Sequence, residues 1–290
     1  MSLALEVCEL CKTYRDFKLD SVSFNLPAGN IMGFVGQNGA GKTTTIRCIL
    51  NMAVRESGEI KVFGLDNIRD ELAIKQELAA VFDEIFLVDA WRISEAEEVI
   101  KGFYSEWDSG LFATYLKRFN LSPDKHVREL SRGMKMKLMV VLAMSHGAKL
   151  LILDEPTSGL DPVARDELLD ILREYVADGQ RSVFFSTHIT SDLERIADFI
   201  TLIDWGRIFY TGTVSGLLEH FVLIKGSKNV LTGDLEKRII GLTNNAAGFT
   251  GMLPASETGV LPDGIVTEPP SIDDILVYIS KRSGIHEQGN

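Results

Sequence analysis

The sequence predicts an α/β fold with a mostly parallel central sheet flanked by helices. Three short, largely apolar runs support this prediction: Ile31–Val35, Leu150–Leu153 and Ser182–Ser186. Strands that are apolar on both faces belong to parallel sheets that helices cover on both sides. Polar residues follow these runs, and open α/β sheets hold their ligands at the carboxyl ends of their strands. We therefore expect a binding site at that end of the sheet.

The first of these runs leads into a complete phosphate-binding loop. Residues 36–44 read Gly-Gln-Asn-Gly-Ala-Gly-Lys-Thr-Thr, and a helical run, Thr44–Leu50, follows. Glycines let the backbone curl with its N–H groups inward, and a helix N-terminus adds a partial positive charge. A glycine-rich turn between two core elements is the alternative, but the strand and helix on either side favour a nucleoside triphosphate site. The candidate phosphate ligands are Gly36, Gln37, Asn38, Gly39, Ala40, Gly41, Lys42, Thr43 and Thr44.

Four side chains at these strand ends predict phosphoryl-transfer chemistry. Lys42 supplies a full charge at the β- and γ-phosphates, and the Thr43 hydroxyl reaches a magnesium ion. Asp154 ends an apolar strand, as the magnesium-holding carboxylate of a phosphate-loop ATPase does. Glu155 follows it and can accept a proton from water in line with the γ-phosphate. The alternative is that Asp154 and Glu155 only begin a polar loop.

Size and composition limit the class of protein. The chain has 290 residues and a formal net charge of -11, which argues against nucleic acid or anionic lipid as the main partner. No apolar run approaches the roughly eighteen residues that span a bilayer, and the N-terminus lacks the layout of a secretion signal. We therefore expect a soluble, cytoplasmic protein. Cys8 and Cys11 have metal-ligand spacing, but no second Cys or His pair lies nearby, so ordinary positions in the first strand are favoured.

The N-terminal half combines a β region with an inserted helical region. Alternating apolar residues in Leu3–Phe24 predict two antiparallel strands joined by a turn near Arg15. Between Arg92 and His126 the apolar spacing becomes helical, and Ser94 opens a predicted capping box. We assign about 84–145 to an inserted helical subdomain.

The C-terminal quarter has a different composition. After Gly212, glycines and prolines recur between short apolar runs. Phe221–Ile224 predicts a strand, and Ser271 predicts the cap of a closing helix. We therefore assign 1–212 to the main domain and 213–290 to a small, separate α/β accessory domain.

Further motifs resemble those of the ATP-binding subunits of ABC transporters, over about the first 210 residues. Leu130–Lys135 resembles the signature sequence of that family and stands ahead of the pair Asp154–Glu155. Ser158–Asp161 resembles the loop after that pair, and Ser186–His188 resembles the switch-histidine loop. Tyr14 occupies the position of the aromatic residue that stacks on adenine. The resemblance implies ATP as the nucleotide and Mg2+ as its metal ion.

The resemblance also implies a dimer in which each copy completes the ATP site of the other. Ser131, at the start of a helix, would bind the γ-phosphate held by the opposite copy, and Gly133 would permit its close approach. Ser131 has the compatible alternative of an ordinary N-cap. Asp161 is assigned to the same interface on resemblance alone, and an N-cap is again its alternative. His188 would polarise the γ-phosphate or position water, whereas a surface histidine is the alternative.

Three positions depart from the family pattern. Arg132 and Met134 replace the usual Gly and Gln of the signature, which resembles the ABC-2 type exporter branch. By alignment with the family, Asp83 stands where a glutamine normally contacts magnesium and the attacking water. An aspartate is shorter and charged, so it can ligate the metal but cannot donate the hydrogen bond of an amide. We expect Asp83 to reach the metal directly or through water.

The resemblance implies an ATP-hydrolysing subunit of a bacterial ABC exporter. Its partners would be a second copy or a related ATPase subunit, and separate transmembrane permease subunits at the inner face of the membrane, without nucleic acid. The alternative is a soluble, non-transport ABC-type ATPase that acts as a translation or repair factor. Such relatives usually carry two cassettes or a long coiled-coil insertion, whereas this chain has one phosphate-binding loop and a short insert. A sensor that binds ATP without hydrolysing it is a third possibility, against which Glu155 and His188 argue.

Overall fold

The structure of the chain, a computed structural model, describes residues 2–84 and 86–287. Within these ranges, no helix is both long and apolar enough to cross a bilayer. The strands are β1 Leu3–Tyr14, β2 Phe17–Pro27, β3 Ile31–Val35, β4 Ser57–Val62, β5 Leu65–Asp66, β6 Leu78–Val81, β7 Leu150–Asp154, β8 Ser182–Thr187, β9 Phe199–Asp204, β10 Arg207–Thr213, β11 Phe221–Gly226, β12 Ile240–Asn244, β13 Phe249–Pro254 and β14 Val266–Glu268. The helices are α1 Lys42–Ile49, α2 Glu71–Glu77, α3 Ile93–Lys101, α4 Ser109–Arg118, α5 Arg132–Ser145, α6 Pro162–Val176, α7 Thr190–Ile196, α8 Val214–His220, α9 Gly233–Arg238 and α10 Ile272–Glu287.

The central sheet has six strands in the order β10-β9-β3-β8-β7-β6. All neighbours are parallel except β9 and β10, which form an antiparallel hairpin. Every residue of β3, β7 and β8 is buried, as expected for strands covered on both faces. The predicted fold class is therefore confirmed, and the carboxyl ends of β3, β7 and β8 lie side by side.

An antiparallel sheet in the order β2-β1-β4-β5 packs on one face of the central sheet. The predicted N-terminal hairpin is present, with its turn between Tyr14 and Phe17. Three aromatic rings join the two sheets: Phe24 from β2, Phe34 from β3 and Phe184 from β8 lie with centroids 5.3–5.5 Å apart. Because this cluster is buried, it holds the N-terminal sheet against the central sheet.

Helices α3, α4 and α5 form the inserted helical region. The apolar side chains Ile93, Phe112 and Leu138 are buried there. The predicted capping box at Ser94 is wrong, because α3 begins at Ile93 and its N-cap is Arg92, two residues before Ser94. The Glu95 carboxylate instead accepts a 2.7 Å hydrogen bond from the backbone N–H of Arg92. A carboxylate in the first turn also suits the positive end of the helix dipole.

The C-terminal region has its own antiparallel sheet, in the order β12-β13-β11-β14. The predicted strand at β11 and the cap at Ser271 are both present, since Ser271 Oγ accepts from the backbone N–H of Asp274 at 3.1 Å. Helix α10 packs across the predicted boundary between the two domains. Ile272 and Ile275 of α10 are fully buried in the same hydrophobic cluster as residues of α5 and α6. The boundary at 212/213 stays a prediction.

Helix α10 also contacts the segment that follows His188. Thr190, the first residue of α7, donates a 2.6 Å hydrogen bond from Oγ1 to Asp273 Oδ1. The C-terminal helix is thus bonded to a helix that begins two residues after His188.

Candidate active site

The phosphate-binding loop, residues 36–44, connects β3 to α1 as predicted. Gly41 precedes α1 with φ 114°, and a Cβ there would lie 2.7 Å from Leu19 Cδ2, so both conformation and space require glycine. No side chain of the described residues caps α1, which leaves its first-turn N–H groups available to an anion. The local geometry is that of an anion-binding helix start.

Lys42 lies almost completely buried at the base of this loop. Its Nζ donates to the carbonyl oxygens of Gly36 at 2.7 Å and Gln37 at 3.3 Å. The same nitrogen lies 3.1 Å from Oε1 of Glu155. A buried ammonium needs such partners, because an unpaired charge in the interior is costly. The loop and the Glu155 carboxylate therefore hold Lys42 where a phosphate chain would lie on the loop.

Asp154 links the loop to two neighbouring strands. Thr43 Oγ1 donates to Asp154 Oδ2 at 2.8 Å, and Ser186 Oγ donates to Asp154 Oδ1 at 2.5 Å. Strand register explains the second contact, since Asp154 of β7 pairs with Ser186 of β8. The structure brings together Thr43 and Asp154, two of the three side chains that the sequence predicts to contact magnesium.

Glu155 and His188 form the other half of the site. His188 Nδ1 is hydrogen-bonded to Glu155 Oε2 at 2.7 Å, so one carboxylate contacts both Lys42 and His188. The backbone of Glu155 has φ 51°, a left-handed conformation that is uncommon for a residue with a side chain. Its N–H donates to Ser186 Oγ at 3.0 Å, which helps to hold this conformation. The site thus collects Lys42, Glu155 and His188, the three residues predicted for catalysis.

An open cavity of about 630 Å³ lies over the phosphate-binding loop. Tyr14 lines it, as do Phe17 at the start of β2 and Trp205 in the β9–β10 turn. The exposed fractions of Tyr14 and Trp205 are 46% and 57%, so both side chains are partly open to solvent. Lys42, Thr43, Thr44 and Glu155 line the same cavity. Its size suits a ligand of nucleotide dimensions.

Asp83 faces both the metal side of the site and the signature sequence. It lines a cavity of about 210 Å³ together with Thr43 and Asp154. Its Oδ1 also forms an ion pair with Nη2 of Arg132, the first residue of α5. Oxygen ligands from a hydroxyl and one or two carboxylates, completed by phosphate, suit Mg2+. No cluster of three or more His, Cys, Asp or Glu side chains that could bind a metal unaided occurs in the described ranges.

Ser131 and Gly133 lie at the start of α5 and do not line the cavity over the phosphate-binding loop. Ser131 caps the helix, because its Oγ accepts from the N–H of Met134 at 3.3 Å. A Cβ on Gly133 would lie 3.5 Å from Leu160 and 3.7 Å from Ala164, which are ordinary contacts. The packing of this chain therefore does not require glycine at 133.

Asp161 is the N-cap of α6. Its Oδ1 accepts from the N–H groups of Val163 and Ala164, both at 3.0 Å. These backbone hydrogen bonds, that of Ala164 first, hold the pKa of the Asp161 carboxyl below its ordinary value. The N-cap alternative is present, and the role across a dimer interface remains a prediction.

Two residues of the site escaped the sequence argument. Ser186 bonds Asp154, and a prediction of the β7–β8 register would have found it. Trp205 stands before Gly206 in a two-residue hairpin loop in which both residues have positive φ. A residue followed by glycine between two strands is a known signal for such a turn, but it does not tell which site the turn approaches.

Comparisons with known proteins agree with this geometry. A family model described as ABC transporter matches residues 19–158. The Nod factor export ATP-binding protein I of Rhizobium meliloti is 32% identical, over 97% of this chain and 89% of that protein. The bacitracin transport ATP-binding protein BcrA of Bacillus licheniformis is 30% identical, over 72% of this chain and 69% of that protein.

A solved structure agrees in both fold and sequence. It is described as the ATP-binding subunit of an ABC transporter and superposes with a TM-score of 0.68, at 28% identity, over 74% of this chain and 91% of its own. A non-transport translation or repair factor is not favoured by these relatives, which are named as transporter subunits. The chain belongs to the ABC transporter family, as one of its ATP-binding, ATP-hydrolysing subunits.

Proposed function

We propose that two copies of this chain close around ATP and that closure and reopening drive membrane-embedded permease subunits. The observation that carries this proposal is the division of the predicted site within one chain. Lys42, Glu155 and His188 are linked beside the phosphate-binding loop, whereas Ser131 and Gly133, at the start of α5, do not line the cavity over that loop. A second copy would bring its α5 start, with free N–H groups and the helix dipole, to the γ-phosphate.

The contacts of Lys42 suggest how binding prepares hydrolysis. Phosphate oxygens would compete with Glu155 Oε1 for the Lys42 ammonium, which lies 3.1 Å from it. Exchange of that ion partner leaves Oε1 free to accept a proton from the attacking water. His188 holds the other carboxylate oxygen at 2.7 Å and so orients the base.

Magnesium fits the remaining oxygen ligands. Thr43 and Asp154 would hold the ion beside the β- and γ-phosphates, with Asp83 near enough to line the same cavity. When bound, the ion neutralises charge that develops on the phosphates. Thr43 already directs its hydroxyl to the Asp154 carboxylate, so both ligands lie on one side of the loop.

Transport outward across the cell membrane is the direction that the relatives favour. Nod factor export is in the name of one relative, and bacitracin transport in that of another. We infer an exporter, without assigning its substrate. The chain would lie at the cytoplasmic face of the membrane through its permease partners.

An exposed apolar groove offers a docking surface for the permease. A cavity of about 520 Å³ is lined by Met52, Leu72 and Phe103, whose side chains are mostly exposed. Exposed apolar groups that cluster around a groove mark interaction sites. We expect Phe103→Glu to abolish co-sedimentation with membrane vesicles from the native host, while Val277→Glu on α10 has no effect. Equal sedimentation of both variants would exclude this groove as the docking surface.

Dimer closure is tested at Gly133. Alanine there meets only ordinary contacts within the chain and favours the helix, so Gly133→Ala should fold and be at least as stable as its parent. The added methyl would obstruct a phosphate from a second copy. In a Glu155→Gln background, size-exclusion chromatography with light scattering should detect an Mg–ATP-dependent dimer that Gly133→Ala weakens about tenfold or more.

Gly233→Ala is the matched control, because Gly233 also lies in the first turn of a helix and its Cβ would meet nothing within 4 Å. It should leave dimerisation unchanged. If Glu155→Gln stays monomeric at saturating Mg–ATP, or if Gly133→Ala dimerises as well as its parent, closure around ATP is not how this chain works.

A further inference from the structure

Trp205 is a large aromatic side chain that has no role in the chemistry described so far. It lies in the two-residue turn between β9 and β10, and 57% of its surface is exposed. It lines the cavity of about 630 Å³ that also contains Tyr14 and the phosphate-binding loop. A half-exposed indole beside an open cavity leaves apolar area in water, and a flat ligand would cover that area.

The backbone holds this turn against the nucleotide site. Gly206 N–H donates to the carbonyl of Ala40 in the phosphate-binding loop at 2.9 Å, and Gly206 O accepts from Asp20 at 2.8 Å. A Cβ on Gly206 would lie 1.8 Å from the carbonyl oxygen of Lys18, so the turn presses directly on the start of β2.

Trp205 itself has φ 45°, a conformation that a bulky residue adopts only where its surroundings impose it. Asp20 and Lys18 belong to β2. The β1–β2 turn joins this strand to Tyr14, the last residue of β1. The same contacts therefore fix Trp205 relative to the loop and to the β1–β2 turn.

We propose that Trp205 is a second base-binding residue, which stacks on the purine ring of ATP in the cavity that it shares with Tyr14. This inference rests on the nucleotide site proposed above. The N–H groups and Lys42 of the phosphate-binding loop serve the phosphates, whereas an indole offers no positive charge to them. The face of an indole ring can stack on the face of a base. Aromatic side chains stack on every base in this way, because each base has a π-face.

Stacking predicts a pattern of affinities across ligands. Trp205→Ala should weaken binding of nonhydrolysable ATP and GTP analogues about tenfold each, as expected for the loss of one base–aromatic stack. Binding of inorganic tripolyphosphate should change by less than about twofold, because it has no base to stack. Isothermal titration calorimetry on the full chain measures all three.

Three further variants make the comparison specific. Trp205→Phe keeps a ring and should retain most of the affinity for both analogues. Val277→Ala truncates an exposed apolar side chain on α10, outside the nucleotide cavity, and should change nothing. Tyr14→Ala should show the same ligand pattern as Trp205→Ala.

Fluorescence gives an independent readout. The ATP analogue should change the tryptophan emission of the parent chain but not that of Trp205→Phe. The other two tryptophans lie outside the nucleotide cavity: Trp91 lines another cavity, and Trp107 packs on Phe112 and is bonded to Glu97.

The proposal is overturned if Trp205→Ala binds the ATP analogue within twofold of the parent. It is equally overturned if Trp205→Ala weakens tripolyphosphate as much as ATP, which would indicate a damaged loop. A parent chain that binds neither ATP nor tripolyphosphate would instead refute the nucleotide site itself. The test thus separates failure of the inference from failure of the function on which it rests.

Discussion

At the scale of single residues, Glu155 has a strained backbone conformation and a partly buried carboxylate with more than one partner. Its left-handed backbone costs about 1–3 kcal/mol in general, and such outliers persist where the surrounding structure imposes them. Ser186 Oγ accepts a hydrogen bond from the N–H of Glu155. Lys42 contacts one oxygen of the Glu155 carboxylate, and His188 contacts the other. A residue that served only to begin a loop would not need this arrangement, which supports its assignment as the general base.

Glu155→Gln should cut ATP turnover by about a hundredfold or more, because an amide cannot accept the proton of the attacking water. ATP affinity should be kept or raised, since the change removes the carboxylate that competes with phosphate for Lys42. Steady-state ATPase assays and nucleotide titration measure the two effects. Turnover near that of the parent would remove Glu155 as the base.

Asp83 has two available partners, and a pair of variants distinguishes them. Asp83→Ala should raise the Mg2+ concentration for half-maximal ATPase activity about tenfold, if the carboxylate reaches the ion directly or through water. Arg132→Ala removes only its ion partner on α5 and should not raise that requirement. Both side chains are nearly half exposed, so losing the pair should cost little stability.

Magnesium titrations of the two variants decide the matter. An unchanged Mg2+ dependence in Asp83→Ala would mean that the carboxylate serves only Arg132.

At the scale of elements, several of the predicted site residues lie at helix N-termini. The N-cap of α1 is Gly41, which has no side-chain cap, whereas the N-caps of α5 and α6 are Ser131 and Asp161. The first leaves its N–H groups for an anion, and the other two satisfy part of theirs locally.

The cap on α6 predicts a pH dependence of stability. Backbone hydrogen bonds lower the pKa of Asp161 in the folded chain, so its contribution is present above the ordinary carboxyl pKa and is lost as pH falls through the lowered value. Asp161→Ala should therefore reduce the free energy of unfolding at neutral pH, and the difference from the parent should shrink in acid. Urea unfolding at neutral pH and near pH 3 measures both. A difference that is independent of pH would contradict an ionised cap.

The sequence predicts some elements well and others poorly, for physical reasons. β3, β7 and β8 are predictable because continuous burial makes them continuously apolar. The start of α3 is misplaced because the N–H groups of Ile93 and Ser94 donate to the carbonyls of Lys125 and Pro123, distant contacts that have no local sequence signal. The ligands of the phosphate-binding loop follow from local sequence, whereas the contacts Asp83–Arg132 and Trp205–cavity join distant segments and have no local signal.

At the scale of the whole molecule, the C-terminal region shares its core with the ATP-binding region. α10 contributes Ile272, Ile275 and Ile279 to the large cluster, although β11–β14 form a sheet of their own with a small core around Phe249. A change of composition after Gly212 marks a change of architecture, but apolar contact continues across it.

Ile275→Ala should therefore destabilise the entire chain by about 2–5 kcal/mol, as for other large-to-small changes in a core. Thermal unfolding should remain a single transition, shifted to lower temperature. Val277→Ala, about half exposed on the same helix, should shift it little. Two transitions, of which only one responds to Ile275→Ala, would show that the C-terminal region folds as a separate unit.

The hydrogen bond from Thr190 to Asp273 links the C-terminal helix to the segment that directly follows His188. Because α7 begins two residues after His188, a shift of α10 along its axis would move α7 and thereby change the orientation of the His188 side chain. Substitutions in the C-terminal region, residues 213–290, would then change the rate of ATP turnover without altering the nucleotide site. A screen of variants in this region should therefore measure ATP turnover rather than protein yield.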